Sequence, residues 1–238
     1  MIGIKSDLGK RNLNEDYAEF YVGENYKIFV LADGMGGHNA GEIASKSASK
    51  AILKFVKENI NKYSNKDLLE KAIKYANLRV YNLSHCSETY KGMGTTLVVC
   101  LITEVGTIVA NIGDSSCYGI NRGSIVKITK DHSLVQELID SGSISFEESI
   151  NHPQRNIITR AIGTEEEIKV DFFEFNSNKY EYLLMCSDGL SNEVNLDKIK
   201  DVNIKDEELQ SICEKLVESA KLNGGRDNIT VMFFRGEV

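Results

Sequence analysis

Proline is scarce in this sequence of 238 residues, which contains a single one, Pro153. The sequence also lacks stretches rich in Pro, Gly or Ser, internal repeats and low-complexity tracts, so it predicts neither an interdomain linker nor a repeat architecture. No window approaches the roughly 18 consecutive apolar residues of a membrane-spanning helix. Residues 1–5 lack the pattern of a secretory signal peptide. We therefore expect one continuous domain over residues 1–238 that does not bind a membrane.

Cysteine usage and charge narrow the class of protein further. The five cysteines are odd in number and form no CxxC pair, which argues against a disulfide framework. Three of them lie within apolar runs, where a reduced cysteine behaves as a small core residue, so we expect a soluble cytoplasmic protein. Asp and Glu number 35 against 28 Lys and Arg, a formal net charge of −7. This balance argues against nonspecific binding of nucleic acid and is compatible with a metal site.

Hydrophobic periodicity predicts about ten strands and a few helices. Apolar residues recur at helical spacing over 41–60 and 67–84, after two short β-type segments at 16–22 and 26–32. Because short turns join most neighbouring strands, antiparallel pairing should dominate in a layered protein of helices and sheets. Further strands are predicted at 95–103, 107–112, 116–120 and 124–129, interpreted as one β-meander, and at 169–175, 180–187 and 229–234, with helices at 132–141 and 207–220 and a surface loop at 142–158.

Acidic residues stand where several predicted strands meet a loop. If those strand ends converge, the carboxylates share one cleft, and like charges at close range are costly unless a cation compensates them. Oxygen ligands select a hard cation, Mg²⁺ or Mn²⁺, rather than zinc. A single Asp-Gly after a strand is usually only a turn, so the joint pattern carries the prediction of a metal site. The residues concerned are Asp33, Asp114, Asp188 and Asp227, with the pair Glu15 and Asp16 at the start of the first predicted strand.

Eight segments, spread over nearly the whole chain, resemble in order and rough spacing the motifs of one enzyme family. This is the PPM (protein phosphatase 2C) family of metal-dependent Ser/Thr protein phosphatases, in its compact bacterial form. The eight segments together are far more specific than any single one, because each motif alone is compatible with an ordinary turn. The segments are SDLGKRNLNED (6–16), DGMGGHNAGE (33–42), GMGTT (92–96), NIGDS (111–115), DHS (131–133), NIITRAIG (156–163), CSDGL (186–190) and GRDNIT (225–230).

The resemblance implies an α+β fold, a four-layer α-β-β-α sandwich of two antiparallel sheets flanked by helix pairs, with a binuclear metal centre at one edge. It also implies that Asp33 would bridge two Mn²⁺ or Mg²⁺ ions and that the backbone carbonyl of Gly34 would bind one of them. Asp188 and Asp227 would complete the shell of the other ion, and Asp114 would help Asp188 to hold a third, weaker ion. The remaining residues implied around the ions, either behind the ligands or through bound waters, are Glu15, Asp16 and Asn228.

The activity implied by the resemblance is hydrolysis of phosphoserine and phosphothreonine in proteins. Two cations sharing a bridging water lower its pKa from about 15.7 toward neutrality, so that the hydroxide attacks phosphorus in line, without a phospho-enzyme. Arg11 matches the position that grips the phosphate, where a guanidinium pairs with two oxygens; in isolation it would be interpreted as a solvated surface arginine. The implied partners of this monomer are phosphorylated proteins, a bacterial Ser/Thr kinase and its substrates, and not nucleic acid.

The sequence departs from the family pattern at two places, Met35 and Ser116. Eukaryotic relatives often carry a histidine, the proposed general acid, two residues after the bridging aspartate, but this position holds Met35, which cannot donate a proton. His38 nearby and a metal-bound water are the two alternatives for the donor. Ser116 replaces an arginine of the family, which changes a local contact but no metal ligand. The loop at about 142–158 matches the variable flap beside the active site and should affect substrate choice.

Other enzyme classes lack their motifs here. A cysteine-dependent phosphatase needs an arginine at a fixed short spacing after its cysteine, but after Cys86 that position is Gly92, beside Lys91. The chain contains no GxxxxGK[ST] loop, and its four histidines form no HExxH zinc motif. Two alternatives stay open. One is a degenerate, non-enzymatic module that binds a phosphoprotein, which would predict missing metal aspartates, and the other is an enzyme for a small phosphomonoester.

Overall fold

Two antiparallel β-sheets pack face to face with helices on both outer faces in the computed structural model, which describes residues 1–37, 39–201 and 204–238. Strand and helix bounds follow in chain order. The strands are β1 (Ile2–Asp7), β2 (Asp16–Val22), β3 (Tyr26–Met35), β4 (Gly94–Thr95), β5 (Leu97–Thr103), β6 (Gly106–Ile112), β7 (Ser116–Asn121), β8 (Ser124–Lys127), β9 (Asp171–Phe175), β10 (Tyr182–Cys186) and β11 (Ile229–Arg235). The α-helices are α1 (Ala40–Asn59), α2 (Asn65–Cys86), α3 (Leu134–Asp140), α4 (Phe146–Ile150), α5 (Asp188–Ser191) and α6 (Leu209–Asn223), with 3₁₀ turns at Glu88–Tyr90, Leu196–Asp201 and Asp206–Glu208.

Each sheet combines strands from distant parts of the chain. One sheet has the order β1-β11-β10-β7-β8, and the other has the order β2-β3-β5-β6-β9, with β4 paired to β3. Every pairing within these sheets is antiparallel. The expected α+β fold of two antiparallel sheets with flanking helices is therefore confirmed.

Apolar side chains on the helices cover the outer faces of both sheets. Helices α1 and α2 bury a stripe of alanine, leucine and isoleucine against β3, β5 and β6. Ser64 caps α2, because its side chain accepts the backbone N–H of Asp67. The other sheet is covered by α5 and α6, which bury Leu190, Cys213 and Val217 among others. Among the described residues, no helix combines the length and the apolar content needed to cross a bilayer.

A third apolar layer lies between the two sheets and fixes their separation. Both sheets contribute residues to this layer. Each strand contributes every second residue, because successive side chains point to opposite faces of a sheet. At its centre the fully buried rings of Phe29 and Phe234 stack with centroids 3.5 Å apart. Cys100 and Cys117 lie in the same layer as free thiols, and burial raises the pKa of both. These cysteines are therefore packing residues, as their apolar neighbours in sequence predicted.

The predicted β-meander over 95–129 is wrong in one respect. Strands β5 and β6 belong to one sheet, whereas β7 and β8 belong to the other. The chain passes between the sheets at residues 113–115, where Gly113 has a φ of 99°. Alternation of apolar and polar residues predicts strands but does not indicate which sheet a strand joins.

Three further elements differ from prediction. Strand β1 was not predicted, although it pairs along its whole length with β11. The predicted helix at 132–141 begins later, at Leu134, because Ser133 accepts the N–H of Gln136 as an N-cap. The predicted surface loop at 142–158 contains the short helix α4, which begins with a capping box between Ser145 and Glu148.

The inter-sheet stack gives a stability prediction. Replacing Phe234 by alanine should lower the free energy of unfolding by about 3–5 kcal/mol, because a fully buried ring leaves a cavity between the sheets. Chemical denaturation monitored by circular dichroism measures this change. The matched control is Phe146→Ala, since that ring is 67% exposed and its loss should change stability by no more than about 0.5 kcal/mol. Equal effects of the two substitutions would contradict the assignment of the core.

Candidate functional site

The acidic residues identified in the sequence lie at one end of the two sheets. Asp16 and Asp33 are direct partners across β2 and β3. In the other sheet, Asp188 follows the end of β10 and Asp227 precedes the start of β11, while Asp114 lies in the connection between the sheets. Burial, and after it the negative charges of the other four aspartates, raise the pKa of Asp33. The predicted convergence of these aspartates is therefore present in the structure.

Two threonine hydroxyls fix the backbone of Asp33. The N–H of Asp33 donates to Thr96 Oγ1 at 2.9 Å, and the carbonyl of Asp33 accepts both the Thr95 hydroxyl at 2.9 Å and the Thr96 N–H at 2.8 Å. Thr96 Oγ1 also lies 2.8 Å from the hydroxyl of Ser115, next to Asp114. Sequence reasoning assigned no role to these hydroxyls, although both threonines stand in the GMGTT segment.

Glu15 connects the start of β2 to the first turn of α1. Its Oε1 accepts the N–H of Gly41 at 3.1 Å, and its carbonyl accepts the Ser45 hydroxyl at 2.6 Å and the N–H of Gly34 at 3.1 Å. A Cβ atom on Gly34 would collide with the carbonyl group of Gly41, so only glycine permits this close approach. Burial raises the pKa of Glu15. These contacts hold the backbone of Gly34 beside Asp33.

Asp16 joins the two sheets beneath the site. Its side chain is buried, and its Oδ2 accepts the hydroxyl of Ser187 at 2.8 Å, whose oxygen accepts the N–H of Thr230 at 3.0 Å. No described residue donates to Asp16 Oδ1. Burial raises the pKa of Asp16 to about 7, although the nearby hydroxyls of Thr230 and Ser187 favour its charged form. Ser187 is a further residue whose role the sequence did not predict.

Asp188 and Asp114 also carry buried oxygens to which no described residue donates, in each case Oδ1. Asp188 Oδ2 accepts Asn192 Nδ2 at 3.0 Å. Burial and the charge of Asp227 raise the pKa of Asp188 to about 6. Burial and the charge of Asp188 raise the pKa of Asp114 to about 7. Both carboxyl groups therefore have free acceptor capacity in an environment that disfavours their negative charge.

Arg11 lies at the rim of this carboxylate cluster. One of its guanidinium nitrogens is 2.8 Å from Asp227 Oδ2, and its side chain is 55% exposed. The second oxygen of Asp227 accepts the N–H of Asn228 at 2.9 Å. Arg226, from the same GRDN segment, is instead paired with Glu193 at 2.9 Å. Of these two arginines, Arg11 is the one held next to the predicted metal ligands.

Asn228 stabilises the segment that carries Arg11. Its Oδ1 accepts the N–H of Glu15 at 2.8 Å, and its Nδ2 donates to the carbonyls of Leu8 at 3.0 Å and Leu13 at 2.9 Å. The side chain is buried, and these three bonds all go to the backbone. Asn228 therefore holds the backbone of residues 8–15 in place. Its predicted action through bound waters stays a prediction.

His38, the alternative proton donor, and Ser116, which departs from the family pattern, lie close to the cluster in sequence. His38 lies outside the described residues, so its assignment as proton donor stays a prediction. Ser116, which replaces an arginine of the family pattern, is buried, and its hydroxyl donates to the carbonyl of Asp114 at 3.4 Å. A small hydroxyl therefore occupies this place beside the Asp114 turn.

The donor set fits oxygen-bound divalent cations. Buried carboxylate oxygens of Asp16, Asp114 and Asp188 receive no hydrogen bond from the described residues, which is costly unless a cation or water compensates them. Within the same described ranges, no three His, Cys, Asp or Glu side chains form a cage that could hold an ion alone. Mg²⁺ is commonly held by one or two carboxylates and keeps several waters, whereas structural zinc takes four protein ligands. The arrangement therefore suits Mg²⁺ or Mn²⁺.

The chain is similar to known proteins in three comparisons: with family models, with whole sequences and with solved structures. A family model described as protein phosphatase 2C matches residues 5–224. The chain is 35% identical over 234 residues to the serine/threonine phosphatase stp of Listeria welshimeri, covering 96% of this chain and 93% of that protein. It is 39% identical over 234 residues to protein phosphatase PhpP of Streptococcus pneumoniae, covering 97% and 95%. Among solved structures, a bacterial serine phosphatase matches with a TM-score of 0.91 at 38% identity, covering 99% of this chain and 97% of that one.

The raised pKa values predict how stability without metal depends on pH. A carboxyl whose pKa is raised in the folded state stabilises the fold below its unfolded pKa and loses that contribution as pH rises through the folded value. For Asp114 this window runs from 3.8 to about 7. In chelator, Asp114→Asn should therefore melt higher than wild type at pH 7.5, by about 2–4 °C for each kcal/mol of repulsion removed, and the gain should shrink at pH 5.

Thermal melting followed by circular dichroism checks this prediction. Asp140→Asn is the matched control, because Asp140 is paired with Lys130 at 2.7 Å and its pKa is lowered by that contact. The control should show no gain at pH 7.5. A stabilisation by Asp114→Asn that grows as pH falls would contradict the sign worked out above.

Proposed function

Because this chain belongs to the protein phosphatase 2C family, we propose that it hydrolyses phosphoserine and phosphothreonine monoesters in proteins. Phosphatases of this family are metal-dependent. The observation that carries the proposal is the meeting of Asp33, Asp114, Asp188 and Asp227 at one end of the sheets, where burial and mutual repulsion raise the pKa of Asp33 well above its usual value. Bound cations would allow these carboxylates to be ionised together at neutral pH.

The residues that would hold the cations are those that the family resemblance implied. Asp33 would be shared by two Mn²⁺ or Mg²⁺ ions, with the carbonyl of Gly34 on one of them and with Asp188 and Asp227 on the other. Asp114 would join Asp188 at a third, weaker ion. When bound, such ions supply Lewis-acid chemistry, because they activate water as a nucleophile and neutralise charge on phosphoryl oxygens.

Arg11 would bind the phosphoryl group of the substrate. Its side chain is exposed at the rim, and its ion pair with Asp227 holds the guanidinium next to the carboxylates. The planar guanidinium presents several N–H donors and pairs with two phosphoryl oxygens at once. Arg11 would therefore orient the phosphorus toward the cluster and stabilise the charge of its equatorial oxygens.

Asp16 and Glu15 would act on water and on backbone position rather than on the phosphate. Asp16 Oδ1 is a buried acceptor, so it is suited to orient a water molecule by accepting its hydrogen bond. Glu15 already uses one oxygen to accept the N–H of Gly41, which leaves the other oxygen for water. The proton donor for the departing serine or threonine oxygen would be His38, a residue outside the described ranges, or a water molecule at the cations.

The wider setting of the enzyme is also part of the proposal. Residues 1–238 would act as a single catalytic domain, with residues 142–158 beside the site as the segment that selects substrates. The substrates would be phosphorylated proteins of a Ser/Thr kinase system, which this enzyme returns to their unphosphorylated state. We propose that it acts as a cytoplasmic monomer.

Metal-dependent turnover is the direct test of this function. Purified protein should hydrolyse a phosphothreonine peptide with Mn²⁺ and lose that activity in chelator. Asp33→Asn and Asp188→Ala should each lower kcat by at least about 10²-fold, because each removes a cation ligand. The matched control is Glu70→Gln, an acidic residue of α2 paired with Lys74, which should keep wild-type activity. Full activity in chelator, or in the Asp33 variant, would refute the proposed mechanism.

Arg11 gives a second prediction, which tests its role at the phosphoryl group. Arg11→Ala should lower kcat/KM by about 10²-fold, and Arg11→Lys should restore only part of it, because an ammonium lacks the bidentate geometry. Arg226→Ala is the matched control, since this arginine pairs with Glu193 outside the cluster and its loss should leave kcat/KM unchanged. Steady-state kinetics on the phosphopeptide measure all three variants. Equal losses in the Arg11→Ala and Arg226→Ala variants would remove Arg11 from the phosphate site.

A further inference from the structure

His132 is a buried residue that clamps the turn preceding Asp114. Its backbone N–H donates to the carbonyl of Gly113 at 2.9 Å, and its ring Nδ1 accepts the N–H of the same glycine at 3.0 Å. The side chain is 5% exposed and lies before the first residue of α3. Both polar groups of the Gly113 backbone are therefore tied to one histidine.

The clamped turn has a conformation that needs support. Gly113 has a φ of 99°, a value that side-chain-bearing residues rarely adopt, and a Cβ there would lie 2.7 Å from the side chain of Thr96. Asn111 adds two bonds from Nδ2, to the carbonyl of Gly113 at 3.3 Å and to that of Lys130 at 2.8 Å. The chain crosses from one sheet to the other here, so no regular strand pairing holds this turn.

Two side chains contact the ring nitrogen of His132 that lies away from Gly113. Nδ1 of His132 accepts the N–H of Gly113, while Nε2 lies 3.2 Å from Asp171 Oδ2 and 3.0 Å from Arg160 Nη1. The other oxygen of Asp171 accepts Arg160 at 3.0 Å. Asp171 thus holds the ring from β9, in the way that a carboxylate commonly orients an imidazole.

We propose that His132 is a positioning residue that sets the direction of the Asp114 carboxylate through Gly113, with Asp171 holding its ring. This inference rests on the proposed function, in which Asp114 helps to hold a cation. No described residue donates to Asp114 Oδ1, so the turn itself must direct that oxygen. A ring rotated away from Gly113 would release the turn and with it the carboxylate.

The competing explanation is that His132 is simply a core residue with satisfied polar atoms. Two substitutions of different side-chain length distinguish this explanation from the positioning role. Asparagine places an acceptor near the position of Nδ1, so His132→Asn can keep the bond to Gly113 while it loses Asp171. Glutamine places its amide near the position of Nε2, so His132→Gln can keep Asp171 while it loses Gly113. The matched control is His85→Gln, because His85 is an exposed residue of α2.

The experiment combines titration calorimetry with Mn²⁺, steady-state kinetics on a phosphothreonine peptide, and thermal melting of each variant. His132→Gln should weaken the weakest Mn²⁺ binding event or lower kcat by about 10–100-fold, with KM for the peptide unchanged. His132→Asn should lose less than about tenfold, and His85→Gln should match wild type. Asp114→Ala combined with His132→Gln should be no worse than Asp114→Ala alone, because both act through one carboxylate.

Four results would overturn the inference, and the last of them concerns the proposed function. Additive losses in the double variant, or a larger loss for His132→Asn than for His132→Gln, would show that His132 does not act through Gly113 and Asp114. Losses of kcat that follow melting temperature across all variants would assign His132 to the core alone. Wild-type Mn²⁺ binding and kcat in Asp114→Ala would instead show that Asp114 is not part of the metal site. The proposed role of His132 would then be refuted as well.

Discussion

Burial of several like-charged carboxyl groups at one end of two packed sheets is the constraint on which the rest of this structure depends. Desolvation raises the pKa of Asp16, Asp33, Asp114 and Asp188, and the charge of at least one further carboxylate at this end of the sheets raises each of them more. Such an arrangement costs free energy in the folded chain unless cations neutralise it. The remainder of the fold must be rigid enough to keep these groups together.

That rigidity comes from three apolar layers and from neutral hydrogen bonds around the acids. The layer between the sheets holds the two rows of strand ends in register, and the outer layers attach the helices. Around the carboxylates, hydroxyls and amides of Thr96, Ser187 and Asn228 bind the backbone or side chains of the site. Because these groups are uncharged, they fix geometry without cancelling the negative potential that attracts cations.

Sequence reasoning predicted the parts of this arrangement that depend on local pattern. Asp33 and Asp188 could be identified because each follows an apolar strand and precedes a glycine, and the eight motifs together indicated the family and the fold. The long-range partners could not be predicted in the same way. Strand β1 pairs with β11 across the full length of the chain, and the sheet change at Gly113 separates strands that are neighbours in sequence.

The roles of His132, Thr96 and Ser187 were missed for the same reason, since each acts on a residue from another element. Their segments DHS, GMGTT and CSDG were recognised as family motifs, but a motif does not say which atom bonds to which. The sequence also suggested that Asn228 acts near the ions through water, whereas its described bonds go to the backbone of residues 8–15. Functional residues that act through backbone contacts become visible only in three dimensions.

The central claim is that the clustered carboxylates bind divalent cations, and anomalous diffraction from crystals grown with Mn²⁺ tests it most directly. The account predicts at least two manganese peaks, with the carboxylate of Asp33 bonded to both and those of Asp188 and Asp227 bonded to one. A map without peaks at this end of the sheets under saturating Mn²⁺, or with peaks only elsewhere on the protein, would contradict it.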